Sequence, residues 1–170
     1  PKVFIPQQFI NPDNPEVHRR YTAMEILSQV DGPIHGFCSG VGTGGTITGI
    51  GETLKKHFPD IEIWAVEPEN AAILSGGSIG THLQMGIGDG LIPENLNTQI
   101  YQHVCIVTDE EALGAARRMA SEEGILCGIS SGSNIAAAVK LARKLGKGKT
   151  VVTVLPDTGE RYFSTPLFCE

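Results

Sequence analysis

Seven consecutive residues, Gly40 to Thr46, contain four glycines and two threonines. Glycines let a backbone approach an anion closely, and its N–H groups together with the Thr43 and Thr46 hydroxyls form a convergent set of donors. Such a set suits a single phosphate group. The same run formally matches G-x-G-x-x-G, and Glu67 ends the next apolar run at the spacing of an acidic residue that holds a ribose. A dinucleotide site is therefore the competing reading. A second cluster, Gly128-Ile129-Ser130-Ser131-Gly132-Ser133, precedes a helical pattern; Ser131 or Ser133 suffices as its cap, which leaves two hydroxyls spare. A third, Gly86-Ile87-Gly88-Asp89-Gly90, lies in a long loop where glycines expose N–H groups to a carboxylate.

Other chemistry-bearing residues point to structural roles. His18, His35, His57, His82 and His103 lack metal-ligand spacing, and only His82 lies near a glycine cluster. Cys38, Cys105, Cys127 and Cys169 form no C-x-x-C pair and read as small buried hydrophobes. Asp157, Glu160 and Arg161 follow an apolar strand and read as ties made by hydrogen bonds and ion pairing.

The elements that must position these loops alternate between strand and helix. Asn14 before Pro15 predicts a helix cap, with Val17, Tyr21 and Met24 on the apolar stripe and Asp31-Gly32-Pro33 as the stop. Ile34–Cys38 reads as a strand entering the first glycine cluster, and a helix runs from there to about His57. Ile61–Val66 is a second strand, residues 70–99 a functional loop, and Val104–Val107 a third strand. Thr108-Asp109-Glu110-Glu111 is a capping box opening a helix that turns Leu113, Ala116 and Ala120 inward and stops at Gly124. A further helix spans about Ser133 to Gly146, with Ile135, Ala138, Val139 and Ala142 on its apolar face, and Thr150–Leu155 reads as a strand buried on both faces. The alternation implies an α/β domain with a mainly parallel sheet and flanking helices, whose ligands lie at the carboxyl ends of strands.

Composition narrows the function classes. The 170 residues include 21 glycines, well above the average of about 7%. With 41% hydrophobic and 19% charged residues the chain is expected to fold as one domain. Thirteen Lys+Arg against 19 Asp+Glu give a net charge of -6 without a basic run, which argues against nucleic acid. No apolar stretch has the length of a membrane span and the start has no signal-peptide layout, so a soluble, cytoplasmic protein is expected.

Several motifs together resemble the cysteine synthase (O-acetylserine sulfhydrylase) family. They are Pro6-Gln7-Gln8-Phe9-Ile10-Asn11-Pro12, Ser39-Gly40-Val41-Gly42-Thr43-Gly44-Gly45-Thr46, Gly86-Ile87-Gly88, Gly124-Ile125-Leu126-Cys127-Gly128-Ile129-Ser130-Ser131-Gly132 and Gly159-Glu160-Arg161-Tyr162, in matching order and spacing. The resemblance implies a tryptophan synthase β-like, fold-type II large domain and pyridoxal 5′-phosphate as cofactor. Gly42, Thr43, Gly44, Gly45 and Thr46 would hold the cofactor's phosphate and Ser130 its pyridine nitrogen. A hydroxyl there leaves that nitrogen neutral, which favours expelling a β-substituent. Gln8, Gly86, Ile87 and Gly88 would line the substrate side. The implied reaction replaces the acetate of O-acetyl-L-serine by sulfide to give L-cysteine. Asp89 departs from the small residue found in many members, which keeps O-phosphoserine sulfhydrylase and cystathionine β-synthase-like chemistry as alternatives.

The family's Schiff-base lysine, in a Ser-x-Lys context, has no counterpart among Lys2, Lys55, Lys56, Lys140, Lys144, Lys147 and Lys149. By resemblance the chain corresponds to about the carboxyl-terminal half of a two-domain enzyme, with residues 1–13 as a domain-junction segment and 1–170 as one α/β domain. It is expected to lack activity by itself, and the full-length protein to be a homodimer. A reading from another class makes it a non-catalytic module binding the carboxyl-terminal tail of serine acetyltransferase.

Overall fold

A computed structural model of the chain describes residues 3–169; Lys2 lies outside them. Four strands, β1 (Gly36–Gly40), β2 (Glu62–Pro68), β3 (His103–Val107) and β4 (Val151–Thr153), form one sheet in the order β3-β2-β1-β4, with every neighbouring pair parallel. Each parallel pair needs a crossover, supplied by long helices for two pairs and by the long connection of residues 69–102 between β2 and β3. Helix α3 (Gly45–His57) links β1 to β2, while α4 (Asp109–Glu123) and α5 (Ile129–Leu145) link β3 to β4. The chain thus builds outward from β1 in one direction, then returns to pair β4 on its other side. The crevice at the carboxyl end of β1 is the topological switch point, where open α/β sheets take ligands.

Alternation along the strands divides the core between two faces. Phe37, Ile63 and Ala65 join Ile47, Ile50 and Leu54 of α3 on one face. Cys38, Trp64 and Val66 join Ala112 and Ala116 of α4 with Ile129, Ala137 and Leu141 of α5 on the other. Each large aliphatic side chain so buried contributes about 1.5–3 kcal/mol.

The capping box at Thr108 forms as expected: its hydroxyl accepts from the Glu111 amide at 3.1 Å, the Glu111 carboxylate accepts from the Thr108 amide at 3.0 Å, and Gly124 closes α4 in the left-handed region. Its buried side is Ala112 and Ala116, with Leu113 and Ala120 only half-buried.

Other expectations are corrected. Asn14 does not cap a helix, because α1 (Asp13–Val17) already contains it and has Pro12 at its cap position. A π-helical turn, His18–Thr22, separates α1 from α2 (Ala23–Gln29), and Val17, Tyr21 and Met24 point outward at 47%, 62% and 48% exposure. Helix α5 begins at Ile129, four residues earlier than the sequence suggests, so the serine cluster is its first turn. Its buried face is Ser130, Asn134, Ala137 and Leu141, and Val139 is exposed. Strand β4 covers only Val151–Thr153 at the sheet edge and is half-buried, since an edge strand lacks a neighbour on one side. Cys38, Cys105 and Cys127 are buried, whereas Cys169 is exposed.

Candidate functional site

The carboxyl ends of β1 and β4 open into a cleft of about 1140 Å³. Pairing between the two strands stops at Cys38 and Thr153. Beyond it the Asn134 carboxamide spans the gap, its Oδ1 accepting from the Gly40 amide at 2.7 Å and its Nδ2 donating to the Val154 carbonyl at 2.8 Å. Only 1% of Asn134 is exposed. One side chain therefore satisfies two strand ends that have parted to make the crevice.

The first glycine cluster forms one wall. Gly44 has φ +81° and precedes α3, whose first intrahelical bond runs from the Thr48 amide to the Gly44 carbonyl at 3.1 Å. The amides of Gly42 to Thr46 donate to no acceptor among the described residues, and they sit at the positive end of a thirteen-residue helix. Glycine is required at position 42 because a Cβ there would lie 2.3 Å from the Gly86 carbonyl oxygen. The third cluster closes over the first, with the Gly88 amide donating to the Val41 carbonyl at 3.0 Å. Unbonded amides in a cradle this narrow fit an anion of phosphate size.

The hydroxyls complete the cradle. Thr43 Oγ1 accepts from Asn14 Nδ2 at 2.8 Å, so its own proton is free to donate elsewhere. Thr46 Oγ1 lies 3.3 Å from His18 Nε2, and His18 Nδ1 lies 3.0 Å from Thr22 Oγ1. Burial pushes the His18 imidazole below its usual range and favours the neutral ring.

The amino end of α5 forms the facing wall, so two helix N-termini converge on one cleft. Ser130 is 4% exposed and lines it, and none of the side-chain hydrogen bonds among the described residues involves its hydroxyl. The other serines are engaged: Ser131 Oγ donates to the Asp157 carbonyl at 3.5 Å and Ser133 Oγ to Gln84 Oε1 at 2.8 Å. Neither serves as the cap, which is Gly128. Asp157 Oδ2 accepts from the Tyr162 hydroxyl at 2.6 Å, while its Oδ1 is enclosed without a partner among the described residues. Burial first, then that hydrogen bond, pushes the Tyr162 phenol up to about 12 and keeps it a donor.

The sequence-level candidates therefore separate. Gln8, Gly42, Thr43, Gly44, Thr46, Gly86, Ile87, Asp89 and Ser130 line one cleft, and Gly45 begins the helix behind it. Gly88 is not on the wall but pins the loop. Glu67 is 2% exposed and accepts from the Leu74 and Ser75 amides at 2.8 and 3.1 Å, so it is not free to hold a ribose. His82 is tied within its own loop to the Gln84 amide at 3.1 Å. Asp157 and Arg161 line the cleft; of the expected ties the hydrogen bonds form, Tyr162 to Asp157 and Thr158 to Glu160, and no ion pair of Asp157, Glu160 or Arg161 is found among the described residues. No lysine among the described residues reaches the cleft; Lys140 pairs with Glu111 at 2.7 Å and Lys144 with Glu62. No group of described residues has the make-up of a metal site, and no described helix is long and apolar enough to cross a membrane.

His18, Asn134 and Tyr162, which line the cleft, and Asn14, which braces it through Thr43, are the candidate-site residues that sequence reasoning missed. A polar residue four positions after Ser130 on a buried helical face was a signal for Asn134. The Asn14–Thr43 bond spans 29 residues and had no local signal.

Residues 1–157 match the family described as pyridoxal-phosphate dependent enzyme. The chain is 57% identical over 166 residues to a cysteine synthase of Staphylococcus aureus (strain N315), covering 97% of this chain and 54% of the relative. It is similar to the structure of O-acetyl serine sulfhydrylase isoform 3 from Entamoeba histolytica, with 42% identity, a TM-score of 0.93 and coverage of 97% and 49% of the two chains. It also resembles an O-acetylserine dependent cystathionine beta-synthase from Helicobacter pylori, at 38% identity, TM-score 0.91 and coverage of 99% and 55%. The chain spans about half the length of these relatives.

Proposed function

The chain belongs to the pyridoxal-phosphate dependent enzymes, and from that premise we propose that it is the cofactor-phosphate portion of a cysteine synthase. The observation that carries this reading is the pairing of unbonded amides at Gly42–Thr46 with the unpartnered Ser130 hydroxyl across the cleft. Gly42, Thr43, Gly44, Gly45 and Thr46 would hold the 5′-phosphate of pyridoxal phosphate, and Ser130 its pyridine nitrogen. Bound there, the cofactor supplies an electron sink for chemistry at the α- and β-carbons of an amino acid. The Ser130 hydroxyl would donate to the ring nitrogen and leave it neutral, which would moderate that sink and favour β-replacement.

This chain's own residues position the reactants. Gln8, Gly86 and Ile87 line the side on which an amino-acid substrate would lie, with Gly88 pinning their loop. The exposed Asp89 carboxylate stands beside the same wall, 3.6 Å from where a Gly42 Cβ would be. The likeness to a cysteine synthase and to an O-acetyl serine sulfhydrylase supports O-acetyl-L-serine with sulfide, yielding L-cysteine, with O-phosphoserine as the alternative. The Schiff-base lysine would come from polypeptide outside these 170 residues, because no described lysine reaches the cleft. Such a full-length protein would be a homodimer, and the chain alone would make no cysteine.

Equilibrium dialysis of the chain against pyridoxal phosphate and against pyridoxal tests the phosphate site. Binding of the first and not the second is expected; equal affinity for both would overturn it. Borohydride reduction followed by intact-mass measurement should leave the chain without a pyridoxyl adduct. A stoichiometric adduct on one lysine, or sulfide-dependent cysteine formation by the chain, would overturn the assignment of the lysine elsewhere.

A further inference from the structure

The Asn14 side chain stands between the phosphate loop and the strap that carries Gln8. Its Nδ2 uses both protons, one on Thr43 Oγ1 at 2.8 Å and one on the Gln8 carbonyl at 2.7 Å. That double donation fixes which end of the carboxamide is nitrogen. Its Oδ1 is packed so tightly against the loop that a Cβ on Gly45 would lie 1.9 Å away.

The strap itself is held in a costly shape. Gln7 has φ +58°, the only described non-glycine residue in the left-handed region. Its carbonyl accepts from the Ile10 and Asn11 amides at 3.0 and 2.8 Å. The adjoining Gln8 carbonyl is gripped a second time by Asn95 Nδ2 at 2.8 Å. A backbone conformation of this kind persists where surrounding contacts over-determine it, and such places cluster at ligand sites.

We infer that Asn14 is a positioning residue that makes the phosphate loop and the Gln8 strap one mechanical unit. By donating into Thr43 Oγ1 it leaves the threonine proton to point into the cleft, and with its other proton it sets the height of the strap that presents Gln8. Ordering one by a bound anion therefore orders the other. The bearing on substrate rests on the reading of the cleft given above; the link between loop and strap does not.

Amide hydrogen exchange on the full chain tests the link without any ligand. Thr43→Val keeps the shape of the side chain but removes the acceptor, and it should speed exchange at Ile10 and Asn11 about fivefold, the consequence of one lost hydrogen bond. Thr43→Ser should restore the wild-type rates. In an Asn14→Ala background, where the tie is already cut, Thr43→Val should add nothing. Unchanged rates at Ile10 and Asn11 in Thr43→Val, or an equal effect in both backgrounds, would overturn the proposal. Dialysis against pyridoxal phosphate separates the two readings. Coupled exchange without affinity for the cofactor sinks the cofactor assignment alone, while full affinity with uncoupled exchange sinks the role of Asn14 alone.

Discussion

Two helix starts in this chain, α3 entered from strand β1 and α5 entered from helix α4, are built from the same residue types, and they have different uses. At Gly40–Thr46 the amides from Gly42 onward find no acceptor among the described residues and the Thr43 proton is turned outward by Asn14. At Gly128–Ser133 the residues are drawn into helix α5, where Ser131 and Ser133 spend their hydroxyls on Asp157 and Gln84 and only Ser130 stays free. Glycine and hydroxyl content alone thus does not make an anion site. What distinguishes the first turn is that its neighbours supply donors to its oxygens and leave its own donors unspent, whereas the second meets acceptors at every turn but one.

The contrast can be broken most severely at Gly42. Gly42→Ala puts a methyl group against the Gly86 carbonyl, so it should cost about 1–3 kcal/mol in urea unfolding and abolish retention of pyridoxal phosphate. Wild-type affinity in that variant would mean that the cradle is not the site. At Ser133, turned away from the cleft, the second turn should respond in stability alone. Ser133→Ala strips a partner from the fully buried Gln84, at a cost of about 1–3 kcal/mol, with cofactor affinity unchanged when measured well below the unfolding midpoint. A matching loss of affinity would erase the distinction between the turns. Thr46→Val should weaken pyridoxal-phosphate binding by about fivefold in dialysis, as one hydrogen bond is lost, with stability nearly unaltered.

The smallest effect is on pH dependence. Burial depresses the folded-state pKa of His18 below its unfolded value, so the unfolded chain takes up the proton first and His18 subtracts stability as pH falls from about 6.5. Above that pH its contribution is fully present. The urea midpoint should therefore decline on acidification between pH 7 and 5, and His18→Gln should flatten part of that decline. An identical slope in the variant would remove His18 from the account.

Much of this was legible in the residues. The capping box at Thr108, the stop at Gly124 and the helix from the glycine cluster to His57 follow from local chemistry, and all are present. The parallel sheet follows from the alternation of strand and helix. What local patterning misjudged was where burial comes from. Val17, Tyr21 and Met24 have helical spacing but face outward, and α5 buries Ser130 and Asn134 in place of Ile135 and Val139. Apolar periodicity shows that a face exists, whereas tertiary packing decides which face is covered. For the site, the glycine cluster was visible because a phosphate-sized cradle needs contiguous glycines. Asn14 was not, because its two acceptors lie in different segments and its neighbour Pro15 mimics the start of a helix.

The position of β4 has a consequence for how the molecule is made. β1 pairs with β2 soon after both are synthesised, but its other edge meets β4 only across a separation of 115 residues, as at Cys38 and Thr153. At ribosomal rates that interval is on the order of ten seconds, and pairing over such distances is also slow once the chain is complete. Through that time the backbone groups of Gly36, Phe37 and Cys38 lack their second row of partners, which makes this strand the place where a chaperone, or another nascent copy, gains access first. The cleft, which needs Asn134 bonded to Val154, is among the last features to form.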